Sequence, residues 1–239
     1  MSDDQHTAPS KVVYPGDELR TPVNVLAPDQ RNFYFGATSI EVLYQQIEQC
    51  SLSPRVPDYI IIQFDTARNL FLHALYVYRF YVVAESQVLA ALELAIRECI
   101  GDKVLTAFQK ELKSNGVHFS KGLRLYLEYL ARHKLMQNED FPIWHRRNRI
   151  AAEEAYRDKI FKLMEEQGLE EYQLDESEID ESAFDEEWDY VQILCETLPK
   201  IRNIHSHGST MLHNQVLLSF VNISIIINKM FERTAVEKQ

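Results

Sequence analysis

Glycine is scarce in this chain, with seven in 239 residues, and so is cysteine, with three. So little glycine in a sequence that is 46% apolar excludes fibrous and low-complexity classes and favours a compact, helix-rich protein with one well-buried core. Cys50, Cys99 and Cys195 are odd in number, widely spaced and lack a metal-type pair, which excludes a disulfide framework and predicts reduced core thiols in a cytoplasmic setting. No apolar run approaches the length of about 20 residues that a membrane span needs. Even the stretch from Ile223 to Ile227 is interrupted, so no membrane association is expected. The acidic, polar start at Met1 does not resemble a secretory signal. There is no internal repeat, no glycine-rich phosphate loop and no Ser-His-Asp order. His205, His207 and His213 do not stack at helical i,i+4 spacing, and no neighbouring thiol or carboxylate completes a set, so neither metal nor cofactor is expected.

One local absence organises the charge. Lys and Arg are missing between Glu165 and Asp189, where thirteen acidic residues fall; of the net charge of -11, that segment holds -13 and the rest of the chain about +2. Like charge and weak periodicity predict a mobile acidic insertion at about 165–189.

Residues 1–31, with Pro9, Pro15, Pro22 and Pro28, read as an extended or disordered arm. A helical domain is expected over 32–231, followed by a frayed tail at 232–239. Thr38-Ser39-Ile40-Glu41 has the capping-box form and predicts a short helix to Cys50. From Asp58 to Ile100 the apolar residues occupy nearly all sides, which predicts buried helix with a break between Tyr81 and Ser86. Glu85 and Glu93 stand among apolar neighbours there; each either pairs internally or lines a cleft beside Arg202. Further helices are expected over 102–113, 120–136 (capped by Ser120), 150–167 and 185–198, with a last, strongly apolar one capped by Ser209 or Thr210. The basic run Arg146-Arg147-Asn148-Arg149 supports competing readings: Arg146, Arg147 and Arg149 contact an RNA backbone, or they are plain solvated surface or a dock for the acidic insertion.

The richest chemistry lies in Lys200-Ile201-Arg202-Asn203-Ile204-His205-Ser206-His207-Gly208. Arginine offers a planar fork matched to phosphate oxygens, and a histidine can move a proton near neutral pH. On one straight helix Arg202 and His207 diverge by roughly 140°, so they converge only if the backbone bends, as Pro199 would allow, or if a second copy supplies half of the site. The bland alternative is that the run caps and pairs a helix end.

The pattern Arg202-Asn203-x-x-x-His207, followed by a long apolar helix in a wholly helical chain, resembles the signature of the HEPN superfamily, and the likeness extends over about 65–231. The resemblance implies an all-α, HEPN-like bundle of long antiparallel helices. It further implies a homodimer that brings two Arg202/His207 sets to one cleft, and a metal-independent endoribonuclease acting on RNA. Catalytic members include toxins and antiviral defence effectors, so a restraining protein partner is also implied. Carried onto this chain, His207 acts as general acid or base in attack of a ribose 2′-hydroxyl, and Arg202 steadies the phosphate. Asn203 orients either of them, His205 stands by as a further participant, and the product carries a 2′,3′-cyclic phosphate. Ser209 stands where some family toxins carry a modifiable tyrosine, a departure that weakens that route of neutralisation. Other members of the superfamily are non-catalytic binding or assembly modules, and a regulatory subunit is a further alternative.

Overall fold

The structure is a computed structural model that describes residues 16–185, 187–206 and 212–236. Among the described residues the regular structure is entirely helical: α1 (Ile40–Ile47), α2 (Asp58–His73), α3 (Phe80–Ile100), α4 (Asp102–Ser114), α5 (Leu123–Arg132), α6 (Pro142–His145), α7 (Arg147–Gln167), α8 (Tyr190–Ser206) and α9 (Leu217–Val236), with short 3-10 turns between. No described helix is long and apolar enough to cross a membrane. The chain divides into two compact units, Met1–Ala95 with Ile201–Ile227, and Ile96–Lys200 with Asn228–Gln239. The expected single domain over 32–231 is therefore described as two units, with the divisions inside α3, α8 and α9.

In the first unit, Ile60, Phe64, Ala67 and Phe71 form one buried stripe of α2 at helical spacing. Phe71 meets Tyr81 of α3 and Phe220 of α9 edge-on, with ring centroids 5.4 Å and 5.8 Å apart. Phe220, Ile223, Ile226 and Ile227 are all buried, so α9 hides its apolar side within its own chain.

The long run from Asp58 does break, but earlier than expected: α2 ends at His73 and α3 begins at Phe80. Tyr81 and Ala84, inside the predicted break, are instead buried within helix α3. The physical reason is a plug from upstream. Asn32, wholly buried, donates its amide to the carbonyls of Ala74 (2.9 Å) and Leu75 (3.0 Å) and accepts from the Tyr81 hydroxyl at 3.0 Å. Asp29 adds its backbone N–H to Leu75 O at 2.8 Å and accepts from the Tyr78 N–H at 3.3 Å. Carbonyls that a helix break would strand are thereby satisfied.

The same contacts tie residues 16–31 of the expected extended or disordered arm to the helices. Arg31 bridges Asp17 (2.9 Å) and Asp29 (2.7 Å), while Asp17 also binds Arg79 at 2.7 Å. Burial pushes both carboxyls up, but hydrogen bonds from Arg79 and Arg31 to Asp17, and from Arg31 and the Tyr78 backbone to Asp29, outweigh it and hold them below the usual carboxylate range. Residues 1–15 lie outside the described part. At α1 the cap is Ser39, which accepts from Val42 N–H, rather than Thr38.

In the second unit, Leu105, Phe108 and Leu112 of α4 and Leu123, Tyr126, Leu127 and Leu130 of α5 form the buried sides of two amphipathic helices. Helix α5 starts at Leu123 after Gly122, whose φ is +157°, and takes no side-chain cap, so Ser120 does not play the expected part. The tail is not frayed where it is described. Arg233 donates to both carboxylate oxygens of Asp140, each at 2.7 Å. This bidentate pair is a strong, directional contact, and α9 continues to Val236. The start of α9 at Leu217 places the expected caps Ser209 and Thr210 well before it, and both lie outside the described residues.

Candidate functional site

Helix α8 runs through Pro199 to Ser206 as one helix, so Pro199 does not open a new helix that carries the motif. Its last turn lies against α3, tied at two points. Arg202 Nε donates to Glu93 Oε1 at 2.9 Å, and His205 Nε2 lies 2.8 Å from Glu85 Oε2. Glu85 and Glu93 sit eight residues apart on one side of α3, about 12 Å along its axis. The later residue of α8 meets the earlier residue of α3, so the two segments run antiparallel. Both glutamates therefore pair with another helix, Glu93 with Arg202 and Glu85 with His205.

The two ties differ in kind. The Arg202 side chain is 44% exposed and that of Glu93 is 23% exposed, which makes theirs a solvent-side ion pair. Side chains of Glu85 and His205 are only 2% and 5% exposed. A carboxylate that deep needs several donors, and Glu85 has them. The Ser219 hydroxyl of α9 donates to Oε1 at 2.6 Å, while Nε2 of His205 and of His213 face Oε2 at 2.8 Å and 3.5 Å. The two imidazoles are stacked with centroids 6.5 Å apart, and His205 Nδ1 is buried with no partner among the described residues.

Of the residues the sequence singled out, Arg202, His205, Glu85 and Glu93 are brought together. Asn203 is exposed on the same turn, and His207 lies outside the described residues. The sequence-based reason for setting a metal aside fails, because the carboxylate missing near the histidines comes from α3. One ligand atom each of Glu85, His205 and His213 lies within 4.8 Å of the others. Ser219 went unrecognised; a lone serine at the start of an apolar helix carries no local signal. His213, four residues before that helix, was seen only as part of a histidine count.

The basic cluster belongs to the second unit and is engaged there. Arg147 stacks on Trp144, with 4.1 Å from guanidinium carbon to ring centroid. Arg149 pairs with Glu153 at 2.8 Å, and Arg146 is exposed. The acidic segment lies along α7 rather than hanging free. Asp175 N–H donates to the Tyr156 hydroxyl at 3.1 Å, Lys159 meets Glu178 at 3.4 Å, and Glu181 and Glu176 act on Arg149 through their charge. These contacts fall on Tyr156 and Lys159, beyond the cluster, while Arg147 and Arg149 themselves engage Trp144 and Glu153.

Comparison with family models, with curated proteins and with solved structures finds no match for this chain.

Proposed function

We propose that the chain is a metal-independent endoribonuclease of the HEPN type, with Arg202 and His207 as its principal catalytic residues and a site completed by a second copy. The observation that supports this most is the division of labour on the last turn of α8. His205 is anchored inward on Glu85, while Arg202, three residues earlier, presents its guanidinium on the solvent side next to Glu93. An arginine steadied at its Nε by a carboxylate, with a side chain 44% exposed, brings positive charge and hydrogen-bond donors to the surface, the chemistry that suits a phosphate.

In the reaction, His207 takes or gives the proton as a ribose 2′-hydroxyl attacks the adjacent phosphorus and the 5′-oxygen leaves. Arg202 stabilises charge growing on the phosphate oxygens, and Asn203 bonds the phosphate or orients its neighbours. The nucleophile is the substrate's own hydroxyl, so no water has to be activated and no metal is required for the chemistry. A role as toxin or defence effector, restrained by a protein partner, belongs to the same proposal.

A second reading is favoured by the Arg202–Glu93 pair itself: the motif serves as a helix junction in a non-catalytic binding module. Incubation of purified protein with structured and single-stranded RNAs, followed by mass analysis of the ends, tests the choice. Cleavage with 2′,3′-cyclic phosphate ends that is lost in Arg202→Ala and His207→Ala is expected. Silence of the wild type on every RNA, with variants that lose the folded state, would favour the junction.

A further inference from the structure

Glu85, His205 and His213 come from three places: the middle of α3, the last turn of α8 and the segment before α9. Each turns a ligand-type atom to a common point. We propose that these three side chains form a binding site for a divalent transition ion of the zinc type, which clamps the motif segment onto α3. The proposal does not depend on the ribonuclease reading.

The spacing lies close to that of a coordination shell. Zinc bound tetrahedrally at about 2.0–2.2 Å from nitrogen and oxygen ligands holds those ligands about 3.3 Å from one another. The distances from Glu85 Oε2 to the two Nε2 atoms, 2.8 Å and 3.5 Å, bracket that value, and the whole set falls within 4.8 Å. Two imidazoles and a carboxylate suit zinc and its first-row neighbours and poorly suit magnesium or calcium, which take oxygen shells.

The outer shell fits as well. Ser219 donates to Oε1 at 2.6 Å, fixing the carboxylate so that Oε2 is the oxygen turned to the histidines. Both imidazoles converge on that one oxygen, although a hydrogen-bonding carboxylate could spread two donors over two oxygens. His205 Nδ1 has no described partner, so nothing described locks that ring into the tautomer that donates from Nε2. The side chains of Glu85 and His205 are almost fully buried, whereas that of His213 is 30% exposed and gives an ion its way in. Three protein ligands leave a fourth position for water.

His205 and His213 flank residues 206–212, which include His207. An ion held by both would tie the two ends of that segment to α3 without being a reactant. Chelation would therefore loosen the setting of the motif, while the chemistry assigned to Arg202 and His207 needs no metal.

The test uses full-length protein free of any histidine tag, stripped with a chelating resin and titrated with Zn²⁺ against a chromophoric competitor, with Co²⁺ as a spectroscopic probe. One equivalent of Zn²⁺ per chain is expected, with the Co²⁺ absorption of a four-coordinate N/O site. At about a hundredfold excess over Kd, Tm should rise by about 5–10 °C. His213→Ala removes a partly exposed side chain outside the helices, so it should fold. It should weaken binding by at least about 10–100-fold, the loss that even an outer-shell change produces, and abolish the rise in Tm. Glu85→Gln should do the same where it folds. Wild-type binding no tighter than ~0.1 mM, or equal affinity and equal Tm shift in His213→Ala, overturns the proposal.

Discussion

Replacement of Arg202 by alanine separates catalysis from architecture, because the ion pair it removes stands at the solvent side. The side chain is 44% exposed and its bond to Glu93 faces solvent. An ion pair of that kind contributes about 0.2–1 kcal/mol, which in a chain of this length lowers Tm by under about 4 °C. If the guanidinium steadies the phosphate during cleavage, its removal should slow the reaction by about 10²–10³-fold, or about 2.7–4 kcal/mol of barrier. The kinetic loss then exceeds the stability loss several-fold. Thermal melting and timed cleavage, scored by cyclic-phosphate ends, measure both quantities on one preparation. The exchange of Arg202→Glu with Glu93→Arg sharpens the comparison: it restores an ion pair and should restore Tm, yet it should not restore cleavage. A fall in Tm of more than about 8 °C in Arg202→Ala, or cleavage recovered by the exchange, would refute the reasoning and make the pair architectural.

Other perturbations probe the frame that holds this site. Asn32→Ala strands the Ala74 carbonyl and the buried Tyr81 hydroxyl. At about 1–3 kcal/mol each, the loss should be about 4 kcal/mol, read as a fall in Tm of about 8–16 °C, with Tyr81→Phe adding little in the same background. Arg31→Ala should lower stability at neutral pH. Asp17 and Asp29 have folded pKa values below the ordinary carboxylate value, so their contribution is full above the unfolded pKa and lost as pH falls through the folded one. Denaturation midpoints of wild type and Arg31→Ala should therefore converge as the pH drops below about 4. Burial pushes the Cys195 thiol up to about 12 and that of Cys50 to about 11. At about pH 8, therefore, neither should react with a disulfide reagent until the chain is unfolded.

What the sequence made legible was what repeats along a helix. The helix from Asp58, the span of α4 and the apolar character of α9 all follow from spacing, and the all-helical class follows with them. Misplaced features depended on partners far away in the chain. The break after α2 looks unmarked in its own residues because Asn32 and Asp29, more than forty positions upstream, satisfy its carbonyls. Of the two expectations for Pro199, a kink in the helix or the first turn of a new one, the second is not met, because α8 is continuous through it. The site divides in the same way. The motif was visible because its residues are consecutive. The cluster around Glu85 was not, because its members are separated by 120 to 134 positions from the carboxylate that joins His205 and Ser219.

Continuity of α8 through Pro199 bears on how the motif could work. With no break before Arg202, the divergence of roughly 140° between Arg202 and His207 cannot be relieved upstream, which leaves the residues after Ser206 or a second copy. Complementation decides between these. Arg202→Ala and His207→Ala proteins are each expected to be inactive. If each site draws arginine from one copy and histidine from the other, a heterodimer of the two variants retains one intact site of its two. After free exchange half of the dimers are mixed, so the mixture should recover about a quarter of the wild-type rate. If both residues act within one copy, every site in the mixture lacks one of them. No activity would then return, and convergence would have to arise after Ser206 within a single chain.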